Sequence, residues 1–149
     1  MRWILGTALI ASFAVAGPAW SQDCAATIEG NDALQFNLSE IRVSSSCESF
    51  TLTLKHVGTL AENIMGHNWV LTTTPDYQAV AQAGQAAGAD NEYVPPGDQR
   101  VLAATALIGG GEETSISFDP SELEPGADYT YFCSFPAHYV LMKGKLIVE

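Results

Sequence analysis

The chain has 149 residues, 47% of them hydrophobic, with 17 Asp or Glu against six Lys or Arg. That length and apolar content suffice for one folded domain with a core and exclude a disordered chain. The acidic balance excludes a nucleic-acid binder and a protein held on anionic membrane surfaces, both of which need positive charge.

Residues 1–21 read as a secretory signal. Arg2 opens the segment, Trp3 to Ala16 is apolar or small, and Ala19 and Ser21 stand where a signal peptidase reads small side chains. Cleavage is expected before Gln22, with Ala14-Val15-Ala16 as an alternative site. The apolar run is too short and too early for a good membrane span, so no membrane insertion is expected once the signal is gone. The segment contains Arg2 and no acid, which leaves five cations against 17 acids and a formal charge of −12 in residues 22–149. Such a charge favours solubility and a partner with a basic docking surface.

After the signal, Ala25 to Glu29 is extended and Gly30-Asn31-Asp32 turns it. Leu34, Phe36 and Leu38 alternate with Gln35 and Asn37, the period of a half-buried strand. Ile41 and Val43 continue extended, and a serine loop leads to Cys47. Phe50, Leu52 and Leu54 alternate with Thr51 and Thr53 as a further strand. His56, just past it, reads as structural. His67 to Thr73 is another strand. Thr74-Pro75 reads as a helix start, with a capping hydroxyl and proline at the first helical position. Tyr77, Val80, Ala81 and Gly84 recur at helical spacing, and Gly88 stops the helix. Val101 to Ile108 reads as extended, and Gly109-Gly110-Gly111 as a turn with no phosphate-loop pattern. Ile116 and Phe118, then Asp128 to Cys133, then Lys145 to Val148 complete the strands. The expected fold is all-β, a Greek-key sandwich or barrel of about eight strands with one short helical insertion, in a single domain over 22–149.

The chemistry gathers in residues 133–142, where Cys133, His138 and Met142 lie on a loop between two strands. His67 is the best supplier of a fourth donor. A thiolate, two imidazoles and a thioether suit copper, in the pattern of a blue-copper centre with a weak axial thioether. Gly66 lets backbone approach such a site, and Asn68 is placed to tie the ligand loops together. The three cysteines of an exported chain allow one disulfide. Cys24 and Cys47 are the natural pair, because Cys133 is wanted as a ligand.

Several stretches resemble the azurin family of cupredoxins, the type 1 blue copper proteins of the bacterial periplasm. They are Cys24-Ala-Ala-Thr-Ile-Glu-Gly-Asn-Asp, Met65-Gly-His-Asn-Trp, Leu107-Ile-Gly-Gly-Gly-Glu, Tyr131-Phe-Cys-Ser-Phe-Pro-Ala-His and Leu141-Met-Lys-Gly. The resemblance runs from Cys24 to the C-terminus. It implies a soluble periplasmic one-electron carrier, not an enzyme, holding one copper ion that cycles between Cu(I) and Cu(II). It places His67, Cys133 and His138 in the copper plane, Met142 as axial ligand and the Gly66 carbonyl opposite. Cys24–Cys47 falls on the family disulfide, and Asn68 on a residue bracing the ligand loop. Trp69 falls on a tryptophan packed inside the barrel, and His56 on a redox-linked histidine that is not a ligand. The implied partners are a c-type cytochrome, a nitrite reductase or similar redox proteins, met in transient complexes. The electron is expected to leave through His138, across an apolar patch of Leu34, Leu60, Pro136 and Ala137. Two departures stand out: Ala137 where the family usually has glycine, and Leu34 and Gln85 where methionines are common on the docking face. A copper-storage or delivery protein and an immunoglobulin-like adhesion domain are the alternatives. A copper oxidase is disfavoured, because a chain with only three histidines has no second histidine-rich metal cluster.

Overall fold

The computed structural model describes residues 24–149. The expected signal segment, its cleavage sites and the start of the domain at Gln22 lie outside the described residues. Nine strands follow in order: β1 (Ala25–Asn31), β2 (Gln35–Phe36), β3 (Glu40–Val43), β4 (Phe50–His56), β5 (Val70–Thr73), β6 (Ala103–Ala104), β7 (Glu113–Phe118), β8 (Tyr129–Phe132) and β9 (Lys143–Val148). A single-turn helix α1 (Glu62–Met65) precedes β5, and the longer helix α2 (Tyr77–Ala87) follows it. The strands form a four-stranded sheet, β2-β1-β4-β7, and a five-stranded sheet, β3-β9-β8-β5-β6. Both sheets are mixed, since β1 runs parallel to β4 and β3 parallel to β9.

The core lies between the sheets. Phe50, Leu52 and Leu54 of β4 are fully buried on alternate positions, as the period-two pattern requires. They meet Ile28, Trp69, Leu71, Tyr131 and Leu146. Trp69 stacks on Tyr131 and Phe118 with centroids 5.7 and 6.2 Å apart. A second cluster forms on the outer face of the five-stranded sheet, where Tyr77, Val80 and Ala81 of α2 cover Val70 and Phe132. Cys24 and Cys47 are joined by a disulfide that links the start of β1 to the loop before β4.

The expected Greek-key sandwich with one helical insertion is the architecture found, but several boundaries move. The helix begins at Tyr77 with Asp76 as its N-cap residue, not at Thr74-Pro75. Thr74 has spent its hydroxyl across the sheet on Thr130, at 2.8 Å. The extended course expected from Val101 to Ile108 reduces to β6 and an isolated bridge between Ile108 and His67. There the Thr105 hydroxyl accepts the Trp69 backbone N–H at 2.9 Å, so a side chain stands in for part of the ladder. The strand expected over Leu34 to Leu38 reduces to Gln35–Phe36, because the Asn31 carboxamide oxygen accepts from the backbone of Ala33 and Gln35 and curls the chain into a turn.

β8 runs antiparallel to β5 and to β9. The end of β8, the approach to β5 and the end of β1 therefore meet at one pole of the sandwich. The disulfide lies at the other.

Candidate metal centre

At that pole, three side chains from two segments turn inward. Cys133 leaves β8, His138 follows on a 3-10 turn (His138–Val140), and His67 stands three residues before β5. Cys133 Sγ lies 3.9 Å from His67 Nδ1 and 3.6 Å from His138 Nδ1, and all three donor atoms fall within 4.8 Å of one another. Bonds of about 2.0 Å to nitrogen and about 2.3 Å to sulfur in a trigonal plane separate nitrogen from sulfur by about 3.7 Å. The spacing thus suits one first-row ion between the three donors. Met142 is fully buried and packs with Cys133, Leu107 and Phe135. The Gly66 carbonyl oxygen lies 3.8 Å from Cys133 Sγ. A thiol, two imidazoles and a neighbouring thioether form a soft, nitrogen-and-sulfur donor set that fits copper and offers no carboxylate to a hard cation.

Each donor is held by groups that do not face the gap. His67 Nε2 donates to the Asn31 carbonyl at 2.9 Å, which leaves Nδ1 unprotonated and turned to the cysteine. Asn68 Oδ1 accepts the Ser134 backbone N–H at 2.8 Å, and its amide nitrogen donates to Ser134 Oγ at 2.8 Å and the Glu92 carbonyl at 3.0 Å. Asn68 is fully buried, so the segment carrying His67 is tied to the segment carrying Cys133 without water. The loop closes on itself where the Cys133 N–H donates to the Met142 carbonyl at 3.0 Å. His56 stacks on His67 at 4.2 Å, donates from Nε2 to the Met65 carbonyl at 2.8 Å and accepts the Gly58 N–H on Nδ1 at 3.0 Å. Both its nitrogens are thereby engaged away from the gap.

Gly30 read as turn punctuation in the sequence. In the fold, a Cβ on it would come 2.7 Å from His67 Cδ2 and 3.4 Å from Met142 Cε, so its bare backbone makes room for both side chains. Ser134 was likewise not singled out. Only the Asn68 amide across the fold reveals its role, and no local pattern carries that signal.

Burial sets the proton inventory. It pushes the Cys133 thiol up to about 12, against smaller opposing hydrogen bonds from the backbone of Asn68 and Phe135. It lowers His138 to about 4, helped by repulsion from His67 and His56, and lowers His67 as well. In metal-free protein at neutral pH His67 and His138 are neutral and the thiol protonated, so metal binding displaces a proton from sulfur. Between pH 6.5 and 4 an unfolded chain protonates His138 and the folded chain does not, so stability falls as pH drops through that window and levels below it. The gap from 6.5 to about 4 amounts to about 3 kcal/mol from His138. Urea titrations of metal-free protein at pH 7.5 and 4.5 should show this loss, and His138→Gln should reduce it. An identical slope in H138Q would contradict the assignment.

Ala137 adopts φ 67° and ψ −12°. A left-handed alanine costs about 1–2 kcal/mol, partly offset by glycine's greater freedom when unfolded. Ala137→Gly should therefore stabilise the metal-free protein by about 0.5–1 kcal/mol in urea unfolding, and a loss of stability would show that the turn is not strained.

The expected exit patch is arranged as follows. Pro136 and Ala137 are exposed, Leu60 is 38% exposed, and Leu34 is half-buried against the Cys133–Met142 cluster. His138 is 5% exposed, whereas His67, Cys133 and Met142 are at 0%. Sequence reasoning overlooked Val140 and Leu141 on the ligand loop and Ile64 on α1, which are exposed by 55, 67 and 61%. Gln85 is exposed on α2.

Comparison with known proteins agrees with this chemistry. The sequence model of the family described as copper binding proteins, plastocyanin/azurin family, matches residues 22–149. The chain is 53% identical over 141 residues to azurin of Bordetella pertussis, covering 95% of this chain and 93% of that one. It is 56% identical over 124 residues to azurin-1 of Alcaligenes xylosoxydans xylosoxydans, covering 83 and 96%. It is 47% identical over 135 residues to azurin of Pseudomonas aeruginosa, covering 91% of each.

Proposed function

The chain belongs to the plastocyanin/azurin family of copper-binding proteins, and from that premise we propose its function: a blue copper electron carrier of the periplasm. His67, Cys133 and His138 hold the ion, with the Met142 thioether and the Gly66 carbonyl as weaker donors. The observation that carries this reading is the buried Cys133 thiol between the Nδ1 atoms of His138 and His67, at 3.6 and 3.9 Å. Bound copper supplies a one-electron couple between Cu(I) and Cu(II).

The protein's own part is to keep the donors still. Asn31 orients His67, Asn68 ties the two ligand segments, and Gly30 leaves the space in which His67 and Met142 settle. Full burial of His67, Cys133 and Met142 excludes water from the donors. His138 is the donor nearest the surface, beside exposed Pro136 and Ala137, and serves as the exit for the electron. No chemistry on a bound substrate is required of this arrangement, which therefore acts as a carrier and not as an enzyme. Its partners are redox proteins, among them c-type cytochromes or a nitrite reductase, docked briefly on a small interface. The Cys24–Cys47 disulfide supports an oxidising compartment.

The test is to add Cu(II) to purified residues 22–149 and follow the visible spectrum and a redox titration together. One equivalent should give an intense blue thiolate-to-copper band and a reversible one-electron couple at constant copper content. A protein that sheds its copper on reduction is a storage or delivery protein instead.

A further inference from the structure

Between the start of α2 and strands β8 and β9, which lie inside the five-stranded sheet, is a cleft of about 340 Å³. It is lined by Thr74, Tyr77, Thr130, Lys143, Gly144 and Lys145. The walls are mainly carbon: the Tyr77 ring, threonine methyl groups and lysine stems, with the two ammonium groups at the ends of those stems. Residues 24–149 contain five cations. Four of them are ion-paired: Arg42 with Glu40 and Glu149, Lys55 with Glu113, Arg100 with Asp98, and Lys145 with Asp128. Lys143 has no carboxylate partner among the described residues. Its ammonium lies 5.1 Å from the centroid of the Tyr77 ring and donates to the Tyr77 hydroxyl at 3.4 Å. In a chain this acidic, an unpaired ammonium over an aromatic ring at the mouth of an apolar cleft is the unusual feature. The ring face stabilises the cation without neutralising it.

We infer that this cleft binds a small organic monoanion with an apolar body, of which an aromatic carboxylate is the simplest form. The carboxylate meets Lys143, and the apolar body lies along Tyr77 and the threonine methyl groups. Lys145 adds positive charge on the far side but shares it with Asp128 at 3.0 Å, which disfavours multiply charged anions. The volume stands at the lower end for ligand sites and suits a single ring better than a nucleotide. Tyr77 also donates to the Tyr139 carbonyl at 2.6 Å, so the occupant rests against a side chain that braces the ligand loop. The binding itself requires no metal.

The test is a titration of ¹⁵N-labelled residues 22–149 with sodium benzoate at constant ionic strength, in metal-free and Cu(I)-loaded protein. Saturable shifts confined to Thr74, Tyr77, Thr130 and residues 143–145 are expected in both. Lys143 is exposed, so Lys143→Gln should keep the spectrum of the folded protein while weakening binding about tenfold or more. Lys55→Gln, at an ion-paired lysine on the other sheet, should change nothing. Benzamide, with the same shape and no charge, should also bind at least about tenfold more weakly. Equal binding of benzamide, equal binding by K143Q, equal occupancy by inorganic phosphate, or shifts that never saturate would each overturn the assignment.

Discussion

Cys133→Ser should abolish the blue band completely while leaving a folded protein. The intense colour of a thiolate–copper pair depends on sulfur, and Cys133 is the only cysteine outside the disulfide. Serine retains the shape of the side chain at a fully buried position, and its hydroxyl can donate toward the Gly66 carbonyl, which lies 3.8 Å from sulfur in the native chain. The structural cost is that of burying one imperfectly bonded hydroxyl, about 1–3 kcal/mol. His67 and His138 remain in place, so Cu(II) can still bind, weakly and without the strong absorption. The measurements are a Cu(II) titration by visible absorption and far-ultraviolet circular dichroism of the metal-free variant. An intense blue C133S protein would sink the assignment of the metal centre. A colourless one that has also lost its β-sheet signal would make Cys133→Ala the informative variant, with the same loss of colour required.

The grouping of Cys133 and His138 with His67, which could hold a metal ion, was legible in the sequence because the chemistry is local. Cys133, His138 and Met142 fall within ten residues, and few metals want that combination. His67 could be added because Gly66-His67-Asn68 stands just before a strand. The strands around Phe50 to Leu54 were legible because β4 is central, with one face in the core and one outside. What escaped was whatever depends on segments far apart in sequence. Gly30 lies under His67 through the meeting of β1 with the approach to β5, and a glycine after a strand reads first as a turn. The start of α2 was misplaced because Thr74 has a cross-strand partner, Thr130, that no local window contains. The same holds for Thr105, whose hydroxyl takes a backbone bond and halts the strand expected there. The lone charge of Lys143 emerges only after every other described cation has been matched to its acid in space.

Leu34→Lys should slow electron self-exchange by about 30- to 100-fold while leaving the blue spectrum almost unchanged. Leu34 sits at φ 61° in the turn between β1 and β2, half-buried against the cluster that holds Cys133 and Met142. It is not one of the donor side chains, so the donor atoms keep their places. The loss of its packing should cost about 1 kcal/mol of stability, and lysine is no worse than leucine in the left-handed turn. When two copies dock face to face through His138, an added ammonium must leave water without an acid to meet it. A desolvation penalty of about 2–3 kcal/mol corresponds to a rate lower by about 30- to 100-fold. Net charge works in the opposite direction, since residues 22–149 carry −12 and one added lysine reduces repulsion between copies. At high salt that background is screened, and the comparison belongs there. Glu122→Lys provides the control, because Glu122 is exposed in the turn after β7, at the pole away from the metal centre, and changes the net charge equally. Slow exchange in L34K and normal exchange in E122K would place the docking face over His138. If L34K exchanges as fast as the native protein at high salt, the electron leaves by another face, and the exposure of His138 has no bearing on its path.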